Sequence, residues 1–159
     1  MTKFITLLRG INVGGHKKIL KKDLHKIFSK LGFLNIQTIA QTGNIICESE
    51  KETSTDEISA LVQEAIQAKY GFEIEVQSRT EKEFLEIFAK NPFKEFEEKK
   101  LYIAFANQEI KTDNKIEVEK FLPDKFSIQE KSIFVLYNTK ISDSKLTNNF
   151  FEKQLNISA

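Results

Sequence analysis

Arg9-Gly10-Ile11-Asn12-Val13-Gly14-Gly15-His16-Lys17-Lys18 is the stretch of this 159-residue sequence whose residue types and spacing best suit a chemical task. Three glycines in six residues permit positive φ and close approach of the backbone to a ligand, and the flanking cations suit an anion. Gly10 and Gly15 stand at the separation found in the phosphate-binding strand–loop–helix motif. His16, however, occupies the place of that motif's Lys, and Lys18 the place of the Ser or Thr that would hold magnesium. The stretch is not G-x-G-x-x-G either, so an NTPase reading fails. A weaker reading survives: N–H groups of the loop and of the following helix start suit a carboxylate or phosphate. A plainer, structural reading stands beside it. Glycine turns and Asn side chains often only route a chain, Arg9 has Asp23 as an available partner, and lysines are commonly solvated.

Other chemistry falls away quickly. His16 and His25 are the only histidines, and Cys47 sits in the apolar run Ile45-Ile46-Cys47. No metal-ligand spacing results, and neither His has a visible Ser or Cys partner for nucleophilic catalysis. No metal, cofactor or catalytic residue is assigned. Cys47 reads as a buried, inert thiol. Glu95, Glu97 and Glu98 alternate with Lys94, Lys99 and Lys100 as a wet surface.

The elements that must position the loop follow from periodicity. Residues 3–8 form a nearly continuous apolar run, the pattern of a strand buried on both faces. Leu24, Ile27, Phe28 and Leu31 make one stripe of a helix that Gly32 ends. Residues 34–40 alternate as a half-exposed strand, Gln41-Thr42-Gly43-Asn44 is a turn, and residues 44–48 return as a strand. Ser54 and Glu57 have capping-box spacing before a helix with Ile58, Leu61, Val62, Ala65 and Ile66 inward, closed by Gly71. Phe72, Ile74 and Val76 then alternate with Glu73, Glu75 and Gln77 as a strand with one wet face. The order β-α-β-β-α-β is the split βαβ arrangement of a ferredoxin-like domain, whose central first and third strands are the apolar ones here.

In that topology the first strand–helix loop and the second–third hairpin share one end of the sheet. Arg9, Gly10, Asn12, Gly14, Gly15 and Lys17 should therefore converge there with Gln41, Thr42 and Asn44. These nine residues are the candidate ligand site, with Arg9 supplying a guanidinium fork that Lys could not replace. Arg79 falls at the opposite sheet end and reads as a structural anchor. Past Thr80 and Glu83, a second capping-box pair, a short helix carries Phe84, Leu85 and Phe88, and residues 81–100 connect the halves. The pattern then restarts: a strand at 101–106, a helix at 113–122 with Val118, Phe121 and Leu122 inward, strands at 126–131 and 133–137, and a helix at 144–155. The sequence thus predicts an α+β protein of two tandem ferredoxin-like (βαββαβ) halves. They span residues 1–80 and 101–159, the second lacking its last strand.

Composition bounds the function. With 24 basic and 23 acidic side chains the net charge is +1. That balance argues against a long-range field drawing the protein onto polyanions, while leaving room for a local basic patch. Nucleic acid is accordingly not the expected partner. A nucleic-acid module would show a contiguous lysine patch, and lysines scattered among glutamates would count against one. The sheet offers little for stacking bases, since the third strand has no aromatic. One cysteine rules out a disulfide framework, no apolar run has membrane length, and residues 1–20 are not a signal peptide. The cytoplasm is the expected compartment. A small anionic ligand is the leading expectation, a nucleic-acid-binding module the second reading, and self-association or partner binding through an exposed sheet face, without catalysis, the third.

Leu7-Leu8-Arg9-Gly10-Ile11-Asn12-Val13-Gly14-Gly15 together with Gln41-Thr42-Gly43-Asn44 resembles the domain of unknown function 1697 family. Arg79-Thr80 followed by Asn91-Pro92-Phe93, and Ser144-Lys145-Leu146-Thr147-Asn148, are similar to that family's middle and last third. The resemblance implies a two-part α+β architecture in a bacterial cytoplasmic protein and carries over no activity or catalytic residue. Relatives continue with a Thr-Arg-Asn-Trp segment, whereas this sequence ends at Asn156-Ile157-Ser158-Ala159 and has no Trp. A missing tail is the expectation that follows.

Overall fold

The structure, a computed structural model, describes residues 1–39, 43–111 and 116–159. It is a mixed α+β fold in two compact units, residues 1–85 and 86–159, each with an antiparallel sheet.

The first unit runs β1 (Thr2–Leu8), α1 (Lys21–Lys30), β2 (Leu34–Ile39), β3 (Asn44–Ser49), α2 (Thr55–Tyr70) and β4 (Val76–Thr80). Its strand order is β2-β3-β1-β4, so the two apolar strands are central. β1 pairs antiparallel with β3 and β4, and β2 pairs antiparallel with β3. β1 and β2 are therefore parallel, which brings the loop after β1 and the β2–β3 turn to the same end. β1 is not equally buried on both faces, as its apolar run had suggested. Phe4, Thr6 and Leu8 are buried, while Lys3, Ile5 and Leu7 are half-buried. The buried face joins Ile45 and Cys47 of β3, Leu24, Ile27 and Phe28 of α1, and Ile58, Val62 and Ile66 of α2 in one core. Leu61, expected in that stripe, is exposed.

Helix ends follow their chemistry. Ser54 and Glu57 close a reciprocal capping box on α2, and Gly71 ends it in the left-handed region at φ 76. The strand expected at residues 72–77 begins only at Val76 and extends to Thr80, because β1 offers partners from Leu8, opposite Val76, to Phe4, opposite Thr80. Thr80 and Glu83 form a second capping box that starts α3 (Glu81–Ala89), none of whose residues is buried.

The second unit holds β5 (Leu101–Phe105), β6 (Lys125–Gln129), β7 (Ser132–Leu136) and α4 (Asn148–Leu155), in strand order β5-β7-β6. β7 is buried along its whole length, as its uninterrupted apolar run requires. The helix expected at 113–122 is a single 3-10 turn, Val118–Phe121, ahead of the cis peptide Leu122–Pro123; Leu122 is exposed rather than inward, and residues 113–115 lie outside the described residues. The last helix starts at Asn148 instead of 144, where the Thr147 hydroxyl accepts from the Phe150 N–H. The β6–β7 turn closes without Gly or Asn because Glu130 itself takes φ 52. Among the described residues no helix is long and apolar enough to cross a membrane.

Candidate functional site

β1 ends at Leu8, and the Arg9 N–H donates to the Glu75 carbonyl at 2.9 Å. Gly10 then turns the chain at φ 68. Ile11 and Ile19 are both buried and pin the two ends of the loop to the core. Between them the loop is a miniature hairpin. Gly14 and Gly15 take φ 57 and 79, and positive φ at both central residues is what a two-residue turn of this hand needs. The His16 N–H donates to the Val13 carbonyl at 3.0 Å, and the Asn12 N–H to the Lys17 carbonyl at 3.2 Å.

Asn12 closes the loop with its side chain. Its Nδ2 donates to the Ile19 carbonyl at 3.1 Å, and its Oδ1 accepts from the Ile19 N–H at 2.9 Å. The amide expected to face a ligand thus clasps the loop's own far end. Lys17 also points inward to the protein, its ammonium donating to the Glu73 carbonyl at 2.7 Å. Asn44 is half-buried at the head of β3, opposite Ile39. Gln41 and Thr42 lie outside the described residues. Gly43 does meet the loop: a Cβ there would stand 2.9 Å from Ile11 Cγ1 and 3.2 Å from Leu8 Cβ. The loop and the hairpin turn therefore touch at the sheet end where topology puts them.

An open groove of about 350 Å³ lies beside the loop, lined by Asn12, Gly15, Lys18, Ile19, Leu20 and Lys21. Lys18 closes the stretch singled out in the sequence, although it was not among the nine candidate residues; Leu20 and Lys21 lie beyond that stretch. A signal was present: α1 starts from Leu20, which offers its first turn no side-chain acceptor. Asp23, in that first turn, does not reach back as a cap. It receives Lys69 at 3.0 Å and the Tyr70 hydroxyl at 2.8 Å. Those hydrogen bonds, Lys69's first, hold its carboxyl below the ordinary carboxylate range. Burial, then the bond to Asp23, pushes the Tyr70 hydroxyl up to about 12. Asp23, the acid available to Arg9 in the sequence, is engaged by α2 instead. Arg79 reaches the Ser78 carbonyl at 2.8 Å and Gln77 at 3.3 Å.

Elsewhere, burial pushes the Cys47 thiol up to about 12, the condition of an unreactive sulfur. Among the described residues no three His, Cys, Asp or Glu side chains stand together to hold a metal. The second unit contains one feature the sequence did not announce. Asp124, buried, accepts from the Asn138 N–H at 2.7 Å, the Thr139 N–H at 2.8 Å and the Thr139 hydroxyl at 2.7 Å. It ties the start of β6 to the segment after β7, a linkage that no local spacing could reveal.

Comparison with known proteins gives family and fold. The solved structure of conserved bacterial protein SP0830 from Streptococcus pneumoniae is similar at TM-score 0.64 and 18% identity, covering 96% of this chain and 81% of that one. At that identity the likeness speaks to the fold. Among curated proteins no match was found. The family described as protein of unknown function (DUF1697) matches residues 1–134. With its glycine loop, its Gln41-Thr42-Gly43-Asn44 sequence and its two-unit α+β fold, the chain belongs to the DUF1697 family.

Proposed function

We propose that the first unit binds a small anion, phosphate- or carboxylate-bearing, in the groove between the glycine loop and the start of α1. One observation carries this reading: Lys18, Lys21 and the Gly15 backbone border the same groove, at a helix start whose N-cap is Leu20. In the first turn the Asp23 N–H is taken by the Leu20 carbonyl, which leaves the Lys21 and Lys22 N–H groups and the positive end of the helix dipole to favour an anion, and two ammonium groups add to that field. The site is thus centred on Gly15 to Lys21 rather than on Arg9 and Asn44, with Asn12 and Lys17 shaping the loop. The first unit's β-α-β-β-α-β order supports reading it as ferredoxin-like, and the second as a shortened counterpart. A bacterial cytoplasmic setting goes with the single, buried cysteine.

A thermal-shift series with phosphate, pyrophosphate, nucleotides and dicarboxylates tests the site on the wild type, Lys18→Gln/Lys21→Gln and Arg9→Ala. A ligand at ten times its Kd adds about 1.4 kcal/mol, a rise of several degrees for a unit of this size. The double variant should lose that rise. If no anion stabilises the wild type more than the double variant, the site does not exist. Loss of the rise in Arg9→Ala as well would add the guanidinium to it.

A further inference from the structure

Six of the 22 lysines, Lys17, Lys18, Lys21, Lys22, Lys26 and Lys30, fall between residues 17 and 30, against one acid, Asp23. All six are exposed. Lys17 is held by the Glu73 carbonyl, and Asp23 is occupied by Lys69 and Tyr70. Among the described residues Lys18, Lys21, Lys22, Lys26 and Lys30 make no ion pair, and neither do Lys51, Lys94, Lys99, Lys125 and Lys131, so what sets this segment apart is its six lysines against one acid. The protein's balanced charge therefore hides a segregated one.

The arrangement is linear. Lys22, Lys26 and Lys30 recur every four residues on α1, about 6 Å apart along the axis. At one end the row meets Lys18 and Lys21 at the loop groove. At the other, Lys26 and Lys30 with Lys69 rim a second open groove of about 390 Å³ between α1 and α2, floored by Ile27, Leu31, Ala65 and Ala68.

We infer that this face of α1 is a docking surface for the backbone of a single-stranded nucleic acid, its phosphates stepping along Lys22, Lys26 and Lys30 from the loop groove. The inference extends the small-anion reading from a groove to a surface, and rests on it only for the phosphate seated at Gly15 to Lys21. Lysine is a point charge that binds phosphate without reading bases, so the surface is sequence-tolerant. The even spacing in one line matches successive phosphates of an extended strand better than the uneven carboxylates of an acidic protein. A membrane surface would want apolar side chains interleaved with the cations along the whole row; Leu20 is exposed beside the loop groove, but no large exposed hydrophobic residue lies from Lys22 to Lys30.

The test is fluorescence anisotropy with a labelled twelve-nucleotide oligo-U across a salt series, run beside the pyrophosphate thermal shift. Five lysines on phosphates predict a slope of log Kobs against log salt of about −3.5 for a single strand. Lys22→Gln/Lys26→Gln/Lys30→Gln should cut the slope by about 2 and weaken binding at least tenfold at low salt, with its circular-dichroism melt unchanged. The same variant should keep the pyrophosphate shift, which Lys18→Gln/Lys21→Gln abolishes. Unchanged affinity and slope in the triple variant overturn the inference while leaving the anion site standing. Equal competition by polyglutamate or phosphatidylserine vesicles at matched charge also overturns it, in favour of an acidic protein or a membrane. Oligo-U binding that needs the row, without any pyrophosphate shift, supports the row and removes the groove site.

Discussion

Gly43 is where the candidate site depends on a single hydrogen atom. At φ 82 it sits in the left-handed region, and the place a Cβ would take is filled by Ile11 and Leu8. Gly43→Ala should therefore incur both backbone strain and a clash with the residue that anchors the glycine loop. We expect a loss of about 2–3 kcal/mol, read from urea unfolding at constant m-value. A loss below 0.5 kcal/mol would show that loop and turn do not pack as described. This position was legible in the sequence, because a turn between two strands at that register asks for positive φ. The role of Asn12 was not. An Asn beside glycines is equally apt to face a ligand or to clasp a loop, and only the Ile19 backbone seven residues on decides between them. Cys47 was legible from its apolar neighbours. With its thiol raised to about 12, it should stay unlabelled by a disulfide reagent at pH 8 in the folded protein and react fully in denaturant. Labelling at equal rates in both conditions would contradict its burial.

At the scale of elements, strands of the first unit were legible where one face is buried, and their ends were not. Phe72, Ile74, Val76 and Ser78 continue a single alternation, so periodicity alone cannot say that pairing begins at Val76. The partner strand β1 says it. The second unit was harder to read, because its connections are held by tertiary hydrogen bonds instead of local pattern. Asp124 is the clearest case. Burial pushes its carboxyl up, yet the hydroxyls of Thr139 and Ser144 and the N–H groups of Thr139 and Asn138 together hold it below the ordinary carboxylate range. A lowered folded pKa means stabilisation that is fully present above the unfolded carboxylate value of 3.8 and lost as pH falls through the folded one. The acid limb of the second unit's stability should accordingly be flatter in Asp124→Asn than in wild type, measured by denaturation between pH 6 and pH 2. Parallel curves for the two proteins would remove Asp124 from the account.

For the whole molecule, the sequence expects halves at residues 1–80 and 101–159 joined by a connector, and the structure divides into compact units at residues 1–85 and 86–159. Each unit closes its own core. One cluster runs from Phe4 to Val76 and the other from Ala106 to Leu155, with no member in common. The second unit spans 74 residues, near the size at which a single core gives only a few kcal/mol. It also relies on Asp124 to join segments fifteen residues apart. Separate cores of unequal size imply separate unfolding. Calorimetry of the full chain at pH 7 should resolve two transitions, the lower belonging to residues 86–159. Asp124→Ala removes a buried acceptor from two part-buried N–H groups and a hydroxyl. It should destabilise that unit by about 1–3 kcal/mol and move the lower transition alone. A fragment of residues 1–85 should retain the upper transition and, with it, any pyrophosphate-induced rise. One transition that shifts as a whole in Asp124→Ala would mean that the two cores unfold as one cooperative body.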